Sequence, residues 1–392
     1  MKQTAIVIGR ADAIKLGLIR SLGEYGCNVI SIHLVPSYKV RSKPIDYYCK
    51  YVSHYYFSTS DDLIRLLVEK CSDSSCKPVL FPLDDKSVYL TDEAYDQLKE
   101  LFLIPNVGHR EKGVISLMDK FRQKELARKA GLKVPKGWII PYINGNFEIP
   151  EDIEFPCFVK GLSSYNSAKA AQKKCDTRKD LLAFLDYCRL KSPHSLLVEK
   201  ALEIDKEVGF IALSDGSNFV IPAKVELLEM GEGSSHGISY LAHVYPIDIN
   251  ESHHRLIGQL IREIGFVGIL NFDFIESNGE LFFVEINFRY AAYGYAVHKA
   301  GVNLPALCVN MMSGANADNI PTVIDHDVVY FNEKIAIKGV IERHLSWKKY
   351  FRLSKSADCP LVASSDDPSP YRHFMWRSFR GYLKSLVKNK ER

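Results

Sequence analysis

The chain has 392 residues, of which 46% are hydrophobic and 25% are charged. These values are typical of a folded globular protein, and the length predicts two or three domains of roughly 100–200 residues each. No apolar run reaches the roughly 18 residues that a membrane-spanning helix needs, and the N-terminus lacks a secretory signal pattern. Nine cysteines lie at irregular spacings without a C-x-x-C motif. This pattern is typical of free thiols in a reducing compartment and predicts a cytoplasmic protein.

The net charge of +4 is unevenly distributed along the chain. Residues 341–392 contain 12 Lys and Arg against 5 Asp and Glu, a net charge of +7, so the first 340 residues carry −3. A slightly acidic body disfavours nucleic acid as a partner and confines electrostatic attraction of anions to the C-terminal segment.

The pattern of residues 1–115 predicts an α/β domain with a mostly parallel sheet, because short apolar strands alternate with helical patterns. The alternating segments are Thr4–Ile8, Ala11–Tyr25, Cys27–His33, Ser60–Lys70, Pro78–Leu83 and Lys86–Leu103. A dinucleotide-binding Rossmann domain needs G-x-G-x-x-G after its first strand, whereas this chain has only Gly9 and then Gly17. Dinucleotide binding is therefore disfavoured.

The centre of the chain predicts a small α/β unit followed by a longer, β-rich section. A helix at about Ile115–Ala130 is expected to end at Gly131, with Pro135 beyond it. The small unit should contain strands at Cys157–Lys160 and Leu196–Glu199 and a helix at Lys179–Leu190. The β-rich section should contain strands at Val208–Leu213, Phe219–Val225 and Ile238–Val244 and a helix at Ser252–Ile264.

A predicted hairpin in the segment GILNFDFIESNGELFFVEINFR contains the chain's strongest chemical signal. Asn-Gly between two alternating apolar runs is a strong hairpin signal. Asp273 lies on the first strand, and Glu285, Asn287 and Arg289 share one face of the second, since strand side chains alternate. Carboxylate and amide oxygens beside a guanidinium suit Mg²⁺ next to phosphate oxygens.

The register of this hairpin decides whether its acids can share a metal. A two-residue turn pairs Asp273 with Val284 and turns Glu285 to the other face. A three-residue turn, or a bulge, pairs Asp273 with Glu285 and brings the carboxylates together. The metal hypothesis requires the second geometry, and the alternative is an amphipathic sheet with solvated acids.

Three further features point to a phosphate ligand. Lys160 ends a strand and is followed by Gly-Leu-Ser-Ser, a loop whose amides can hold phosphates although no G-K-[ST] of a Walker motif exists. Lys120, in the segment Leu-Met-Asp-Lys, precedes a helix and offers a second positive charge. An extended connector runs from Glu199 to Glu207, and such a connector can meet an adenine edge through its backbone, with one acid for the ribose hydroxyls. The alternative for each of these residues is an ordinary solvated surface charge.

Taken in order, these motifs resemble the ATP-grasp superfamily over about Ser116–Pro305. The matching segments are Asp119-Lys120 followed by G-L-x-V-P, Phe158-Val159-Lys160-Gly161, Val198-Glu199-Lys200-Ala201-Leu202, and Asp273 with Glu285-Ile286-Asn287-Phe288-Arg289. The following segment, Tyr293–Pro305, is similar to the carboxylate–amine ligase branch, which includes D-aspartate ligases and the large subunit of carbamoyl-phosphate synthase. Two departures from the family pattern are a lid loop that is poor in glycine and Asp273 where many members have Glu.

The resemblance implies a Rossmann-like α/β domain before a two-lobed ATP-grasp fold of mixed α/β and α+β class. The implied ranges are 1–115 for the first domain, 116–320 for the ATP-grasp domain with a lid at about 135–195, and 321–392 for a basic C-terminal extension. By resemblance the cofactors are ATP and Mg²⁺ or Mn²⁺. The implied phosphate contacts are Lys120 and Lys160, the adenine contacts are Glu199 and the backbone of Lys200, Ala201 and Leu202, and the ribose contact is Glu207. The implied metal ligands are Asp273, Glu285 and Asn287, and the implied catalytic residues are Arg289 and Lys160.

The implied reaction phosphorylates a small-molecule carboxylate with ATP and joins the acyl phosphate to an amine. Similarity to D-aspartate ligase suggests an amino-acid donor and an amine on a peptide or cell-envelope precursor. The alternatives are carbamoyl-phosphate-type chemistry on bicarbonate and a nucleotide-binding module without turnover. The amine is expected near Asp84 and Asp85, at the carboxyl end of a strand, unless these acids only cap the next helix.

Gly233–Gly237 matches the G-x-S-x-G elbow of serine hydrolases, but the residues that follow alternate like a strand, whereas the elbow needs a helix. Met230–Gly237 instead predicts a loop beside the active site. His236 and His243 are candidate substrate contacts there, and ordinary packing is the alternative for both.

The C-terminal segment predicts a basic amphipathic helix. Its apolar stripe comprises Tyr371, Met375, Phe379, Leu383 and Leu386, and its basic residues recur at Arg380, Lys384 and Lys388. Packing of this stripe on the protein itself is favoured, and peripheral contact with an anionic membrane is the alternative.

Overall fold

The fold is that of a computed structural model, which describes residues 2–10, 13–39, 43–73, 75–163, 172–191, 194–230, 239–248, 250–315 and 320–388. Across these ranges no helix combines the length and the apolar character needed to cross a bilayer. The large apolar side chains lie in cores beneath three sheets.

The N-terminal unit is a four-stranded parallel sheet with the strand order β3-β2-β1-β4. Its elements are β1 (Thr4–Gly9), α1 (Ala13–Tyr25), β2 (Asn28–Leu34), β3 (Val52–Ser58), α2 (Leu63–Leu66), β4 (Val79–Pro82), α3 (Asp85–Glu93) and α4 (Tyr95–Leu98). The predicted α/β domain with a parallel sheet is therefore confirmed. The predicted helix over Lys86–Leu103 is divided at Ala94 into α3 and α4.

Lys15 of α1 is buried at the carboxyl ends of β1 and β2. Its side chain is fully buried, and Nζ donates to the carbonyl oxygens of Gly9 at 3.4 Å and Ile32 at 2.7 Å. The ammonium thus serves the carboxyl ends of β1 and β2, where a dinucleotide-binding domain presents bare backbone amides.

The small central unit follows strand β5 (Asn106–Val107) and helix α5 (Lys120–Lys129). Its elements are β6 (Gly137–Ile140), β7 (Tyr142–Ile143), β8 (Asn146–Phe147), β9 (Cys157–Gly161), β10 (Lys173–Cys175), α6 (Arg178–Lys191) and β11 (Leu196–Lys200). The sheet order is β10-β9-β11-β6, with β7 and β8 as a separate hairpin. Trp138, Ile140 and Phe184 belong to the apolar core of this unit.

The large sheet contains the hairpin that the sequence singled out. Its first elements are β12 (Lys206–Asp215), β13 (Phe219–Met230), β14 (Ser239–Pro246), α7 (Ser252–Ile264), β15 (Phe266–Ser277) and β16 (Glu280–Asn287). Helices α8 (Gly294–Lys299) and α9 (Leu304–Ser313) follow. The strand order is β16-β15-β12-β13-β14, and β5 pairs antiparallel with β15. The N-terminal segment thereby joins the large sheet at its β15 strand.

Residues beyond 320, which the sequence predicted as an extension, add to the large sheet. Their elements are β17 (Val328–Phe331), α10 (Glu333–Ile341), α11 (Trp347–Ser356), β18 (Cys359–Pro360) and α12 (Pro368–Lys388). Strand β17 pairs antiparallel with β14, and β18 pairs parallel with β17. Arg20 of α1 also forms a buried ion pair with Asp367 at 3.1 Å. The C-terminal segment therefore shares a core with the rest of the chain.

Candidate functional site

A bulge in the β15–β16 hairpin brings the two predicted metal acids opposite each other. The turn is the two-residue Asn278-Gly279, with left-handed φ angles of 51° and 75°, as a tight hairpin turn requires. The register then shifts after Phe274, so that Asp273 pairs with Glu285 and Val284 is the extra residue. The three-residue turn is absent, and the bulge supplies the geometry that the metal hypothesis requires.

Asp273 lies in a pocket of amide donors. Its two carboxylate oxygens accept hydrogen bonds from Asn271 Nδ2 at 2.8 Å and Asn287 Nδ2 at 2.9 Å. Burial, together with the nearby charge of Glu285, raises the pKa of Asp273 to about 7. Two half-buried carboxylates at paired positions of a hairpin favour the binding of a cation, which would reverse the shift.

Glu285 is paired with Lys120, the first residue of α5. Glu285 Oε2 lies 2.5 Å from Lys120 Nζ, and the Lys120 N–H donates to the carbonyl of Leu162 at 2.9 Å. Burial alone would raise the pKa of Glu285, but the charges of Lys120 and Lys160 outweigh it and lower the pKa to about 2. The carboxylate is therefore ionised across the physiological pH range.

Helix α5 is fixed over β16 by two local features. Asp119 caps the helix by accepting from the Arg122 N–H at 2.8 Å. Gln123 is 1% exposed. Its Oε1 accepts from the Ile286 N–H at 2.9 Å, and its Nε2 donates to the Ile286 carbonyl at 3.1 Å. These contacts set the helix start directly above Glu285.

A second charged cluster joins β9, β11 and α5. The Glu199 carboxylate lies 2.6 Å from Lys160 Nζ and 2.6 Å from Lys124 Nζ, and all three side chains are buried. Burial would raise the pKa of Glu199, but Lys160 and Lys124 outweigh it and hold the pKa below its usual range. Two lysines thus share one carboxylate.

Lys124 is the residue of this cluster that the sequence interpretation missed. Its ammonium also donates to the Phe283 carbonyl at 3.2 Å. Burial, and after it the neighbouring Lys160, lowers the pKa of Lys124 to about 8. Its spacing of four residues from Lys120 places both lysines on one side of α5, and this spacing is the sequence signal that could have revealed it.

The connector after β11 has some of its predicted backbone contacts already in use. The Lys200 N–H donates to the Lys136 carbonyl at 2.9 Å, and the Ala201 N–H donates to the Pro156 carbonyl at 2.9 Å. The Lys200 side chain is exposed and pairs with Glu154 at 3.2 Å. The backbone adenine contacts predicted for Lys200–Leu202 therefore stay a proposal for the carbonyl oxygens and for the Leu202 N–H.

Glu207 and Gly209 lie on β12, beside Asp273. Gly209 pairs with Asp273 across the sheet, and Glu207 lies two residues earlier on the same face. A Cβ atom at Gly209 would lie 2.2 Å from the Tyr293 hydroxyl, which donates a hydrogen bond to Asn271 Oδ1. Glycine is therefore required where Tyr293 holds Asn271, and Asn271 in turn holds Asp273.

Arg289 joins the large sheet to the N-terminal unit. Its Nε donates to Asp85 Oδ1 at 3.0 Å, and its Nη2 donates to Asn287 Oδ1 at 3.2 Å. Burial opposes the charge of Arg289, but Asp85 outweighs it and raises the pKa of the guanidinium. The expectation that Asp84 and Asp85 attract an ammonium group needs correction. Asp84 caps α3 through the Ser87 N–H at 2.8 Å, and Asp85 is engaged by Arg289.

The remaining candidate residues are placed as follows. Gly233–Gly237 and His236 lie outside the described residues. His243 lies on β14, 3.4 Å from Asp327 and with its ring 3.9 Å from that of Tyr245, which is the ordinary packing weighed as its alternative. Among the described residues, no cluster of three or more His, Cys, Asp or Glu side chains forms a metal site. A cation here would therefore depend on two carboxylates, an amide and oxygens of its ligand.

Comparisons with known proteins show sequence similarity over about half of the chain. No family model matches the sequence. The chain is 28% identical over 211 residues to the carbamoyl phosphate synthase large chain of Clostridium beijerinckii, covering 53% of this chain and 20% of that one. It is 25% identical over 215 residues to the same protein of Vibrio cholerae, covering 54% of this chain and 20% of that one. The chain spans about a fifth of the length of these curated relatives.

Two solved structures share the fold over most of the chain. N5-carboxyaminoimidazole synthetase from Staphylococcus aureus, complexed with ADP, gives a TM-score of 0.63 at 18% identity and covers 88% of this chain and 87% of that one. The biotin carboxylase domain of Hydrogenobacter thermophilus 2-oxoglutarate carboxylase, in complex with MgADP and bicarbonate, gives a TM-score of 0.64 at 17% identity. The match covers 84% of this chain and 74% of that one. These two likenesses show that the chain has the ATP-grasp fold.

Proposed function

We propose that the chain is an ATP-dependent ligase that phosphorylates a carboxylate and joins the acyl phosphate to an amine, releasing ADP and phosphate. A carboxylate is a poor electrophile, and phosphorylation gives it a leaving group. The observation that carries the proposal is the convergence of Lys120, Glu285, Asp273 and Arg289 on one end of the β15–β16 hairpin. This set joins phosphate-binding cations to metal-binding oxygens, as phosphoryl transfer requires.

In this proposal the nucleotide lies between the small central sheet and the large sheet. Lys160 and Lys120 contact its phosphates, Glu199 and the Leu202 N–H meet the adenine, and Glu207 meets the ribose. Lys160 is bound to Glu199 at 2.6 Å in the structure, so nucleotide binding would draw its ammonium toward the phosphates. Glu199 would keep Lys124 as its partner during that movement.

Asp273, Glu285 and Asn287 fit a hard divalent cation such as Mg²⁺ or Mn²⁺. The fit rests on the pairing of Asp273 with Glu285 across the hairpin and on the Asn287 amide beside Asp273. Such a cation, when bound, would neutralise phosphate charge and orient the transferred group. The side chains of Asn271 and Asn287 orient Asp273, and Lys120 orients Glu285.

Arg289 would stabilise the negative charge that develops on the phosphorylated carboxylate. The side chains of Asp85 and Asn287 accept hydrogen bonds from its guanidinium. The guanidinium therefore needs little reorganisation to stabilise that charge. The unit at about 135–195 would close over the nucleotide, with a hinge near Lys200–Leu202, because an acyl phosphate must be kept from water. Proteolysis within Gly161–Ala170 should then slow when Mg-ATP is added, and equal cleavage would contradict closure.

The proposed substrates are a small-molecule carboxylate and an amine, and similarity to D-aspartate ligase favours an amino-acid donor with an acceptor on a peptide or cell-envelope precursor. Bicarbonate is the second candidate donor, because one structural neighbour was crystallised with bicarbonate and the curated relatives are named carbamoyl phosphate synthase. We place the reaction in the cytoplasm, in line with nine free cysteines.

The proposal is tested by measuring ADP release with Mg-ATP across a panel of amino acids, bicarbonate and no donor, and then with amines added to the best donor. Glu285→Gln should abolish donor-dependent release, whereas Glu280→Gln, the same substitution at the exposed end of β16, should not. Release with bicarbonate alone would overturn the amino-acid donor. ATP binding without release for any donor would instead favour a non-catalytic nucleotide-binding module.

A further inference from the structure

Helices α11 and α12 present a surface that the proposed ligase reaction does not use. We call it the aromatic–basic face, and it consists of Phe351, Trp376, Phe379 and the neighbouring Lys and Arg side chains of these helices. Phe351 is 53% exposed, Trp376 59% and Phe379 55%. Exposed aromatic side chains that lie together on a rim of charge mark an interaction site more often than scattered ones.

Ring contacts connect α11 to α12, and exposed aromatic side chains recur along α12. The Trp347 ring stacks on Phe351 at 5.8 Å and meets Tyr382 edge-on at 5.4 Å. Phe379 precedes Tyr382 by three residues on α12, and Trp376 precedes Phe379 by three, so each is a neighbour on the helix surface. The aromatic side chains of the two helices are therefore joined through the Trp347–Tyr382 contact.

The charge of the two helices is of one sign. Together α11 and α12 contain nine Lys and Arg and no Asp or Glu. Arg380 lies over the Trp376 ring at 4.6 Å, so a cation and an aromatic ring face outward together. Within the fold, Lys349 pairs with Glu229 at 2.5 Å and Arg377 donates to the Lys43 carbonyl at 2.9 Å.

The opposite side of α12 already packs on the protein. Phe374 is 7% exposed, the His373 ring stacks on Tyr48 at 3.6 Å, and the Tyr350 hydroxyl lies 3.6 Å from Met375 Sδ. The predicted self-packing thus applies to Tyr371 and Met375, which pack against the core, and Phe374 adds a contact outside the predicted stripe. Phe379, which the sequence placed in the same stripe, points to solvent instead. One side of α12 therefore packs on the protein, and the opposite side is exposed to solvent.

We propose that the aromatic–basic face binds the surface of a bilayer that contains anionic lipids. Tryptophan and phenylalanine insert at the level of the headgroups, where an amphipathic surface gains from partial burial. Lys and Arg at the same level gain from the negative surface potential. Double-stranded nucleic acid would satisfy the cations, but its phosphates give no partner to exposed aromatic rings.

The test is sedimentation of the full chain with vesicles of phosphatidylcholine alone and of phosphatidylcholine with about one-third phosphatidylglycerol. We expect at least about tenfold stronger partitioning to the anionic vesicles, given roughly a fivefold gain for each cation at the surface. Partitioning should fall as salt screens the charges. Equal binding to both vesicle types would overturn the proposal, as would displacement of the protein from vesicles by a single-stranded oligonucleotide.

Substitutions of the exposed aromatic residues test whether the aromatic–basic face is the part of the protein that binds the vesicles. Trp376→Ser with Phe379→Ser should lower partitioning roughly tenfold, because two exposed rings are lost. The matched control is Tyr187→Ser with Leu190→Ser, two exposed apolar residues at the same spacing on α6, which should bind like the parent. The melting temperature of each variant checks folding. Parent-like partitioning of the Trp376/Phe379 variant would overturn the proposal.

Charge variants give an independent measurement. Arg380→Glu should weaken partitioning to anionic vesicles by about tenfold or more, since it replaces an attracted charge with a repelled one. Lys70→Glu, which changes an exposed lysine on the N-terminal unit, has the same net charge change and should have little effect. Equal losses from both substitutions would indicate a response to net charge alone and would contradict a defined face.

Discussion

Buried cations occur in two regions of this protein, and their partners differ. In the N-terminal unit, Arg20 is fully buried and donates to Asp367 at 3.1 Å and to the carbonyls of Leu361 at 3.0 Å and Val362 at 2.9 Å. Beside the proposed nucleotide site, Lys124 and Lys160 share the single carboxylate of Glu199. The first guanidinium is fully committed to protein acceptors, whereas the second region holds two cations for one anion.

This difference separates a cation that holds the fold from cations that we propose to face a ligand. When one partner of a fully paired buried charge is removed, the folded protein is destabilised. A pair of lysines around one carboxylate keeps part of its positive potential, which an anionic ligand such as a nucleotide phosphate would neutralise. Substitutions in the two regions should therefore be felt in different measurements.

The largest expected effect is on stability, from Arg20→Met. The substitution leaves Asp367, which is 2% exposed, as a buried carboxylate without its ion-pair partner. We expect the free energy of unfolding to fall by about 3–5 kcal/mol, measured by urea denaturation. Arg65→Met is the control, because the Arg65–Asp62 pair lies at the surface, where loss of a pair costs at most about 1 kcal/mol. Similar losses for both variants would contradict the assignment of Arg20.

Lys160→Met should act on catalysis instead of stability. Glu199 keeps Lys124 at 2.6 Å, so the fold retains a neutral pair, while the phosphate contact is lost. We expect kcat/KM for ATP to fall by about 10²–10³-fold with an unchanged melting temperature. Lys174→Met alters an exposed lysine on the neighbouring strand β10 and should match the parent. A large drop in melting temperature for Lys160→Met would instead show that this lysine stabilises the fold, as Arg20 does.

The sequence predicted the elements that depend on local pattern. Helix α7 has the predicted bounds, the Asn278-Gly279 turn is where its residues require left-handed φ angles, and the alternation on β16 puts Glu285 and Asn287 on one face. The bulge at Val284 was one of two open geometries. Local propensity could not choose between them, because the register also depends on how β16 packs under α5.

Contacts between distant segments could not be predicted from the sequence. Asp85 and Arg289 are 204 residues apart, and the Lys124–Glu199 pair forms only when α5 meets β11. Each residue has a plausible local role, which is helix capping for Asp85 and solvation for Lys124. The sequence pattern contains no signal that favours the tertiary contact over this local role. The addition of β17 to the large sheet is of the same kind, since strand pairing across such a separation depends on tertiary packing.

Asp85→Asn tests whether the N-terminal unit takes part in the chemistry through Arg289. Asparagine keeps a hydrogen-bond acceptor for Nε but removes the charge that faces the guanidinium at 3.0 Å. We expect kcat to fall by about tenfold while KM for ATP changes less than about twofold, because Arg289 is proposed to act on the acyl phosphate and not on nucleotide binding. Asp96→Asn, at an exposed pair with Lys99 on α4, is the control. A change in KM for ATP alone would contradict this role.

The smallest expected effect comes from Lys124→Met, and it sharpens the comparison of the two regions most. When nucleotide phosphates draw Lys160 away, Lys124 is the partner that keeps the buried Glu199 carboxylate compensated. Without it, moving Lys160 would leave that carboxylate unpaired, which is costly in a buried site. We expect KM for ATP to rise by about fivefold to tenfold, with kcat within about twofold of the parent.

The pH dependence of nucleotide binding separates this role from simple packing. Burial lowers the pKa of Lys124 to about 8, so its charge is present below that pH and is lost as the pH rises through it. In the parent, KM for ATP should therefore increase above pH of about 8, whereas Lys124→Met should lack that increase because its charge is absent at every pH. Lys129→Met, at the exposed end of the same helix, should keep the pH profile of the parent. If the increase persists in Lys124→Met, another group causes it, and Lys124 belongs with the cations that only hold the fold.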